Sequence, residues 1–144
     1  MTERTVRQII EGQEPVTAAA DVTVREAARL MKQHNVGSLM VVDNEKLVGV
    51  FTERDGLFRV LAEGLDADTT ALANVMTRNP QTIDPRSGFT HALQMMHAGR
   101  YRHLPVVEDG RVIGIVSVRD ALGPELEAFV YEMLRQEQIQ EVLA

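Results

Sequence analysis

The chain has no cysteine and no tryptophan among its 144 residues, and only four Phe and two Tyr. Without cysteine there is no disulfide, no thiolate nucleophile and no Cys-based zinc site. With so few rings, the core has to be built from Val, Leu, Ile, Ala and seven Met. No apolar run reaches the length needed to cross a bilayer, so no membrane partner is expected. Basic residues are outnumbered, 15 Lys and Arg against 21 Asp and Glu, for a formal net charge of −6. No Lys/Arg cluster supplies a face that neutralises duplex phosphates, which argues against nucleic acid as a partner. A small anion remains compatible, because a few local arginines and helix N-termini can hold a phosphate inside an acidic protein. The stretch Met1–Glu14 is polar and mixed in charge and does not read as a secretory signal, so the expected address is the cytoplasm.

Catalytic signatures are missing as well. His34, His91, His97 and His103 form no i, i+4 pair, and no carboxylate stands at ligand spacing beside two of them, so no metal site is expected. There is no Gly-x-Gly-x-x-Gly and no Walker-type loop, which excludes those two nucleotide-binding designs at the motif level. No Gly-x-Ser-x-Gly elbow occurs, and Ser38, Ser87 and Ser117 have no local His/Asp arrangement. The sequence therefore names no catalytic residue and no catalytic cofactor, and an enzyme is not expected.

What the chain does have is a repeat. Leu47-Val48-Gly49-Val50-Phe51-Thr52-Glu53-Arg54-Asp55-Gly56-Leu57 matches Val112-Ile113-Gly114-Ile115-Val116-Ser117-Val118-Arg119-Asp120-Ala121-Leu122 at an offset of 65 positions. The same offset pairs Ala27 with Ala92, Met31 with Met96, Val41 with Val106 and Val42 with Val107. It is expected to break before about Val24, where Asp84–Gly88 aligned with Asp21–Thr23 leaves two extra residues in the second copy. In the first copy Thr23-x-x-Glu26 reads as a capping box, and Ala27, Leu30, Met31 and His34 recur on one helix face. Ser38–Val42 and Leu47–Phe51 read as strands around the turn Asp43–Lys46, and a helix is expected from about Glu53 to Ala62. In the second copy the helix spans Phe89–Ala98, the strands are His103–Val107 and Arg111–Val116 around the hairpin signal Asp109-Gly110, and Val118–Leu122 opens the last helix. Short extended segments at Val16-Thr17 and Gln81–Ile83 precede the first helices.

Each copy is thus β-α-β-β-α. A unit of this size buries too little apolar surface alone, so two pseudo-symmetric copies are expected to pack sheet against sheet as one α/β module. The expected divisions are 5–66, 67–123 and a C-terminal helix over 124–144. Thr5–Glu11 reads as a short helix. Gly123-Pro124 reads as a break before the last helix, whose Leu126, Phe129, Val130, Met133 and Leu134 form a stripe for its own domain or for a second subunit.

The pair Gly49-Val50-Phe51-Thr52-Glu53-Arg54-Asp55 and Gly114-Ile115-Val116-Ser117-Val118-Arg119-Asp120 resembles the signature of the CBS domain, named after cystathionine β-synthase, which occurs in tandem as a Bateman module. Asn74-Val75-Met76-Thr77 followed by Thr82-Ile83, and Arg102-His103-Leu104-Pro105-Val106-Val107, support the resemblance, which covers about residues 5–123. Thr52 and Ser117 fall where an N-cap belongs, and a helix N-terminus offers free N–H groups to a phosphate. Asp55 and Asp120 have the two acceptor oxygens that adjacent ribose hydroxyls require. Arg54 and Arg119 flank the same places. The resemblance implies phosphate and ribose roles for the Thr/Ser and Asp of the motif, with adenine in the cleft between repeats. Thr77, Thr82, Ile83, Arg102, His103 and Pro105 complete the expected ligand set.

The two sites are not equivalent. Arg102 and His103 of copy two align with Gly37 and Ser38 of copy one, so the site on Ser117 and Asp120 is expected to bind more tightly. The expected function is a regulatory sensor of an adenine nucleotide, AMP first, with ADP, ATP, NAD(H) or S-adenosylmethionine as family-implied alternatives. It would form a homodimer and act on a separate partner protein by a ligand-dependent shift. The rival reading is a ligand-free interaction scaffold in which both motifs only cap helices.

Overall fold

The 65-residue offset reappears in the backbone of the computed structural model, which describes residues 3–143. Thr23 caps α2 (Val24–His34), its hydroxyl accepting from the Glu26 N–H at 3.2 Å. Only this half of the expected capping box forms. Val24, Ala27 and Met31 are buried and Leu30 is half-buried, whereas His34, expected on the inward face, is exposed in the last turn. The equivalent helix is α4 (Phe89–Gly99), and the two end alike in left-handed residues, Asn35 and Arg100.

Each copy then forms a hairpin. β2 (Ser38–Asp43) and β3 (Lys46–Thr52) are joined by Asn44 and Glu45, with φ of 51° and 67°; β5 (His103–Glu108) and β6 (Arg111–Ser117) are joined by Asp109 and Gly110, with φ of 53° and 78°. Two positive φ values make the tight turn that follows strand twist. Val41 lies opposite Gly49 and Val106 opposite Gly114, each followed by the same irregularity one residue on. β1 (Thr17–Ala18) pairs in parallel with β2, Ala18 opposite Val41, and Ile83 makes the matching parallel bridge to Val106. These pairs are also 65 apart, so the expected break before Val24 is corrected. Ala19–Thr23 and Asp84–Gly88 are equal in length and turn alike, Val22 N–H donating to the Ala19 carbonyl and Ser87 N–H to that of Asp84. Their unlike residues, one Asp apiece at different places, hid the equivalence.

The first sheet has the order β1-β2-β3-β4, β4 (Thr77–Arg78) running antiparallel to β3; β5 and β6 form the second. β3 lies against β6. Ala18, Val24, Ala27, Met31, Leu39, Val41 and Phe51 form one core together with Leu72, Val75 and Met76 from the stretch ahead of the second repeat. Leu93, Met96, Leu104, Val106 and Val116 form the other with Val6 and Ile10 of α1 (Val6–Ile10), ahead of the first repeat. Each core is therefore closed by the segment that precedes the other repeat. The motif glycines sit at these crossings. A Cβ on Gly49 would lie 2.5 Å from Met76 Sδ and 2.9 Å from the Thr77 carbonyl, and one on Gly114 would lie 2.9 Å from Ile10 Cβ. The open side of β6 is covered by a side chain: Gln13 accepts from the Ile115 N–H at 2.7 Å and donates to the Ile115 carbonyl at 3.1 Å. In the first repeat β4 covers β3 at the same place, Thr77 opposite Val50.

After each hairpin the copies part. α3 (Glu53–Asp55) continues as a π-helical stretch, Gly56–Leu61. Val118–Asp120 forms only a 3₁₀ turn rather than opening the expected helix, Ala121 is extended, and the chain restarts as α5 (Gly123–Leu143). Gly123-Pro124, expected as a break, opens α5, because proline has no N–H and its fixed φ suits a first turn. Phe129 packs edge-on to His97 of α4, ring centres 5.6 Å apart, while Leu126, Val130 and Leu134 of the same stripe are exposed. Ala144, expected to end this helix, lies outside the described residues. Among those residues no helix is long and apolar enough to cross a membrane.

Candidate functional site

The strand-to-turn junctions place Thr52 and Asp55 at the end of β3, and Ser117 and Asp120 at the end of β6. Thr52 Oγ1 accepts from the Asp55 N–H at 3.2 Å, and Asp55 Oδ2 accepts from the Thr52 N–H at 3.0 Å and from its hydroxyl at 3.1 Å. Ser117 Oγ accepts from the Arg119 N–H at 3.2 Å, and Asp120 Oδ2 accepts from the Ser117 N–H at 2.7 Å. Both motifs therefore cap their turns, and the two carboxylates differ in what else holds them. Asp55 is buried at 8% exposure, with Arg59 Nε 3.4 Å from its Oδ1. That guanidinium also donates to the carbonyls of Val75 and Met76, at 3.2 Å each. Asp120 is half-buried, and the position matching Arg59 is Pro124. Among the described residues no cation pairs with the Asp120 side chain. Among the described residues its Oδ1 takes part in no hydrogen bond or ion pair.

His103 stands opposite Ser117 across the second hairpin, as Ser38 stands opposite Thr52 across the first. Burial pushes the His103 pKa below its ordinary value of 6.5. Glu53 opposes that, Arg119 and Arg102 add to it, and Asp120 again opposes. The half-buried imidazole is thus sensed from both repeats at once. A cavity of about 590 Å³ is lined by Arg54 of the first repeat and by Met96, His97, Arg100, Tyr101 and Arg102 of the second. It gathers three guanidinium groups, a setting for an anion. Arg54 also lies 5.1 Å from the centre of the Phe58 ring. Arg102, expected beside Ser117 and Asp120, lines this cavity with Arg54, and its backbone carbonyl accepts from the Val118 N–H at 3.2 Å. A second cavity, of about 350 Å³, takes Thr82 with Lys46, Asn79 and Val107.

The other expected residues lie apart from these cavities. Thr77 is exposed in β4. Ile83 and Pro105 are buried, joined by a hydrogen bond from the Ile83 N–H to the Pro105 carbonyl at 3.0 Å. Arg119 is exposed on the 3₁₀ turn. No group of three or more His, Cys, Asp or Glu side chains able to hold a metal occurs among the described residues. Arg59, Arg100 and Tyr101 were missed from sequence. Arg59 was legible four residues beyond Asp55, the spacing of a helical ion pair. Arg100 and Tyr101 were legible as the places where copy two departs from Asn35 and Val36.

Comparison with known proteins gives two matches to the CBS domain, over residues 6–61 and 72–124. The chain belongs to the CBS domain family. It carries two CBS domains in tandem, a mixed α/β module with a C-terminal helix. The CBS domain-containing protein YhcV of Bacillus subtilis is 38% identical over 104 residues, 72% of this chain and 74% of that one. CBSCBSPB1 of Arabidopsis thaliana is 36% identical over 121 residues, 83% of this chain, which spans only 22% of its length. Among solved structures, a CBS domain protein of Pyrobaculum aerophilum complexed with AMP superposes with a TM-score of 0.80 at 23% identity, covering 89% of this chain and 99% of that one. At that identity it speaks for the fold. The CBS domain pair of protein MJ0100, in complex with 5′-methylthioadenosine and S-adenosylmethionine, has a TM-score of 0.74 at 31% identity, covering 83% of this chain and 93% of that one.

Proposed function

We propose that this CBS pair is a regulatory module that takes an adenosine-containing ligand between its repeats, with Ser117 and Asp120 forming the tighter of two motif sites. The observation that carries this reading is the Oδ1 of Asp120, unpaired among the described residues, against the Asp55 carboxylate already engaged by Arg59. A ribose offers two adjacent hydroxyl donors, and a free carboxylate oxygen beside a capped one accepts them. Arg54, Arg100 and Arg102 supply the charge for a phosphate or another anionic tail. The adenosine ligands of the MJ0100 pair set the compounds to test: S-adenosylmethionine and 5′-methylthioadenosine beside AMP, ADP, ATP and NADH. The module is read as non-catalytic. Its effect is a shift in the relative placement of the repeats, read by a partner protein.

The test is thermal unfolding with each compound in turn, followed by calorimetry on Asp120→Ala and Asp55→Ala. Ligand at about 100 times its dissociation constant stabilises by roughly 2.7 kcal/mol, a rise on the order of 5 °C for a chain of this size. The expected result is a rise with at least one adenosine compound, lost in Asp120→Ala and largely kept in Asp55→Ala. No rise with any compound at millimolar concentration overturns the reading and leaves two capped turns in a scaffold.

The module is also read as a homodimer. Leu57, Leu61 and Leu65 are exposed, and so are their equivalents 65 positions on, Leu122, Leu126 and Val130. Both repeats thus carry exposed apolar residues after their hairpins, and a second copy related by a two-fold axis would meet this surface with the same surface. Phe58, Tyr131 and Leu134 are exposed as well.

A further inference from the structure

The Asp120 turn has an unusual support. A helix running on from Val118 would give the Asp120 carbonyl the N–H of residue 124. That residue is Pro124, which has none. The donor comes instead from the far end of the chain: Arg4 Nη2 donates to the Asp120 carbonyl at 2.9 Å. The same guanidinium grips Glu125, Nε donating to Oε2 at 2.9 Å and Nη2 to Oε1. Glu125 in turn accepts from the Leu122 N–H at 3.0 Å, capping the start of α5. Arg4 is itself fixed. Its carbonyl accepts from the Phe89 N–H at 2.9 Å, and its guanidinium lies 5.7 Å from the centre of the Phe89 ring. The first motif has no such arrangement, because its helix continues to Leu61 and Arg59 engages the Asp55 side chain directly.

We propose that Arg4 is a positioning residue of the second motif: it supplies the hydrogen bond that Pro124 removes, holds the Asp120 turn in its binding shape, and locks that turn to the first turn of α5. The inference rests on the ligand reading above. A ligand that takes hold of the Asp120 carboxylate then acts on α5 through the Arg4–Glu125 pair, so α5 is the element that reports occupancy.

The test uses the full chain. Calorimetry with S-adenosylmethionine and with AMP compares the wild type, Arg4→Ala, Arg4→Lys, Glu125→Gln and Asp120→Ala, and amide hydrogen exchange follows residues 118–126. Arg4→Ala is expected to weaken binding about tenfold, the effect of one charge-assisted hydrogen bond. It is also expected to speed exchange across Ala121–Leu126 with little change in the first repeat. Arg4→Lys, which keeps the charge but not the bidentate fork, is expected to recover only part of the affinity. In the wild type, ligand slows exchange at the start of α5, and in Glu125→Gln that response shrinks. If Arg4→Ala does not fold, Arg4→Lys and Glu125→Gln read the same coupling. Binding abolished by Asp120→Ala but unchanged by all three other variants overturns the role of Arg4 alone. A wild type that binds neither compound overturns the ligand reading, and the role of Arg4 falls with it.

Discussion

Asp55 and Asp120 occupy the same place in the same motif, yet the atoms around them assign them different work. Asp55 is closed in by its cap and by Arg59, while Asp120 keeps one oxygen free. The motif itself was legible in the sequence, as were its two N-caps, because capping depends on residues three positions apart. Unequal binding was expected from Arg102 and His103, and the proposal of unequal sites rests as well on the exchange of Arg59 for Pro124. His103 carries a consequence that needs no ligand. Its pKa is held below 6.5, mainly by burial. A base with a depressed folded-state pKa adds stability above its unfolded pKa of about 6.5, and that stability is lost as pH falls through the folded value, because the unfolded chain takes the proton first. His103→Gln is expected to flatten the fall in Tm as pH drops below about 6.5. A Tm profile that the substitution leaves unchanged would show that the imidazole does not couple to folding.

At the scale of elements, the first helix and the hairpin of each copy followed from periodicity and turn residues, with ends shifted by a residue or two. The crossings did not, because no local pattern shows that Leu72–Met76 belongs to the first core and Val6–Ile10 to the second. The motif glycines carry the trace of this. Gly49 faces Met76 and Thr77, and Gly114 faces Ile10. The added methyl in Gly49→Ala would press on the Thr77 carbonyl as well as on the flexible Met76. It is expected to cost about 1–3 kcal/mol, as overpacking does. Urea unfolding reads this as a lower midpoint, and a midpoint equal to the wild type would mean that β4 gives way freely. The 3₁₀ turn at Val118–Asp120 was misread for a related reason. Pro124 signals a helix start or a helix stop, and only the Arg4 contact, 116 positions away in sequence, decides which.

For the molecule as a whole, the repeat and the family resemblance gave the architecture, while the uncovered faces became visible only once both stripes could be compared for exposure. Leu61→Glu combined with Leu126→Glu is expected to convert a dimer to a monomer in sedimentation equilibrium without lowering the helix content. A mass at the dimer value in that variant would place the interface elsewhere. The exchange of covering segments also imposes an order of events during synthesis. Everything the first core needs, from Val16 through Arg78, is contiguous, so that half can close while the rest of the chain is still being made. The second core is discontinuous: one part of it, α1, is made before the first core and has no partner until the Asp84–Gly88 turn and α4 follow about eighty residues later. Closing so long a loop costs entropy only logarithmically in its length, so the delay costs little stability, but during it Val6 and Ile10 are exposed to any competing apolar surface. A piece made ahead of the first core is seated after it.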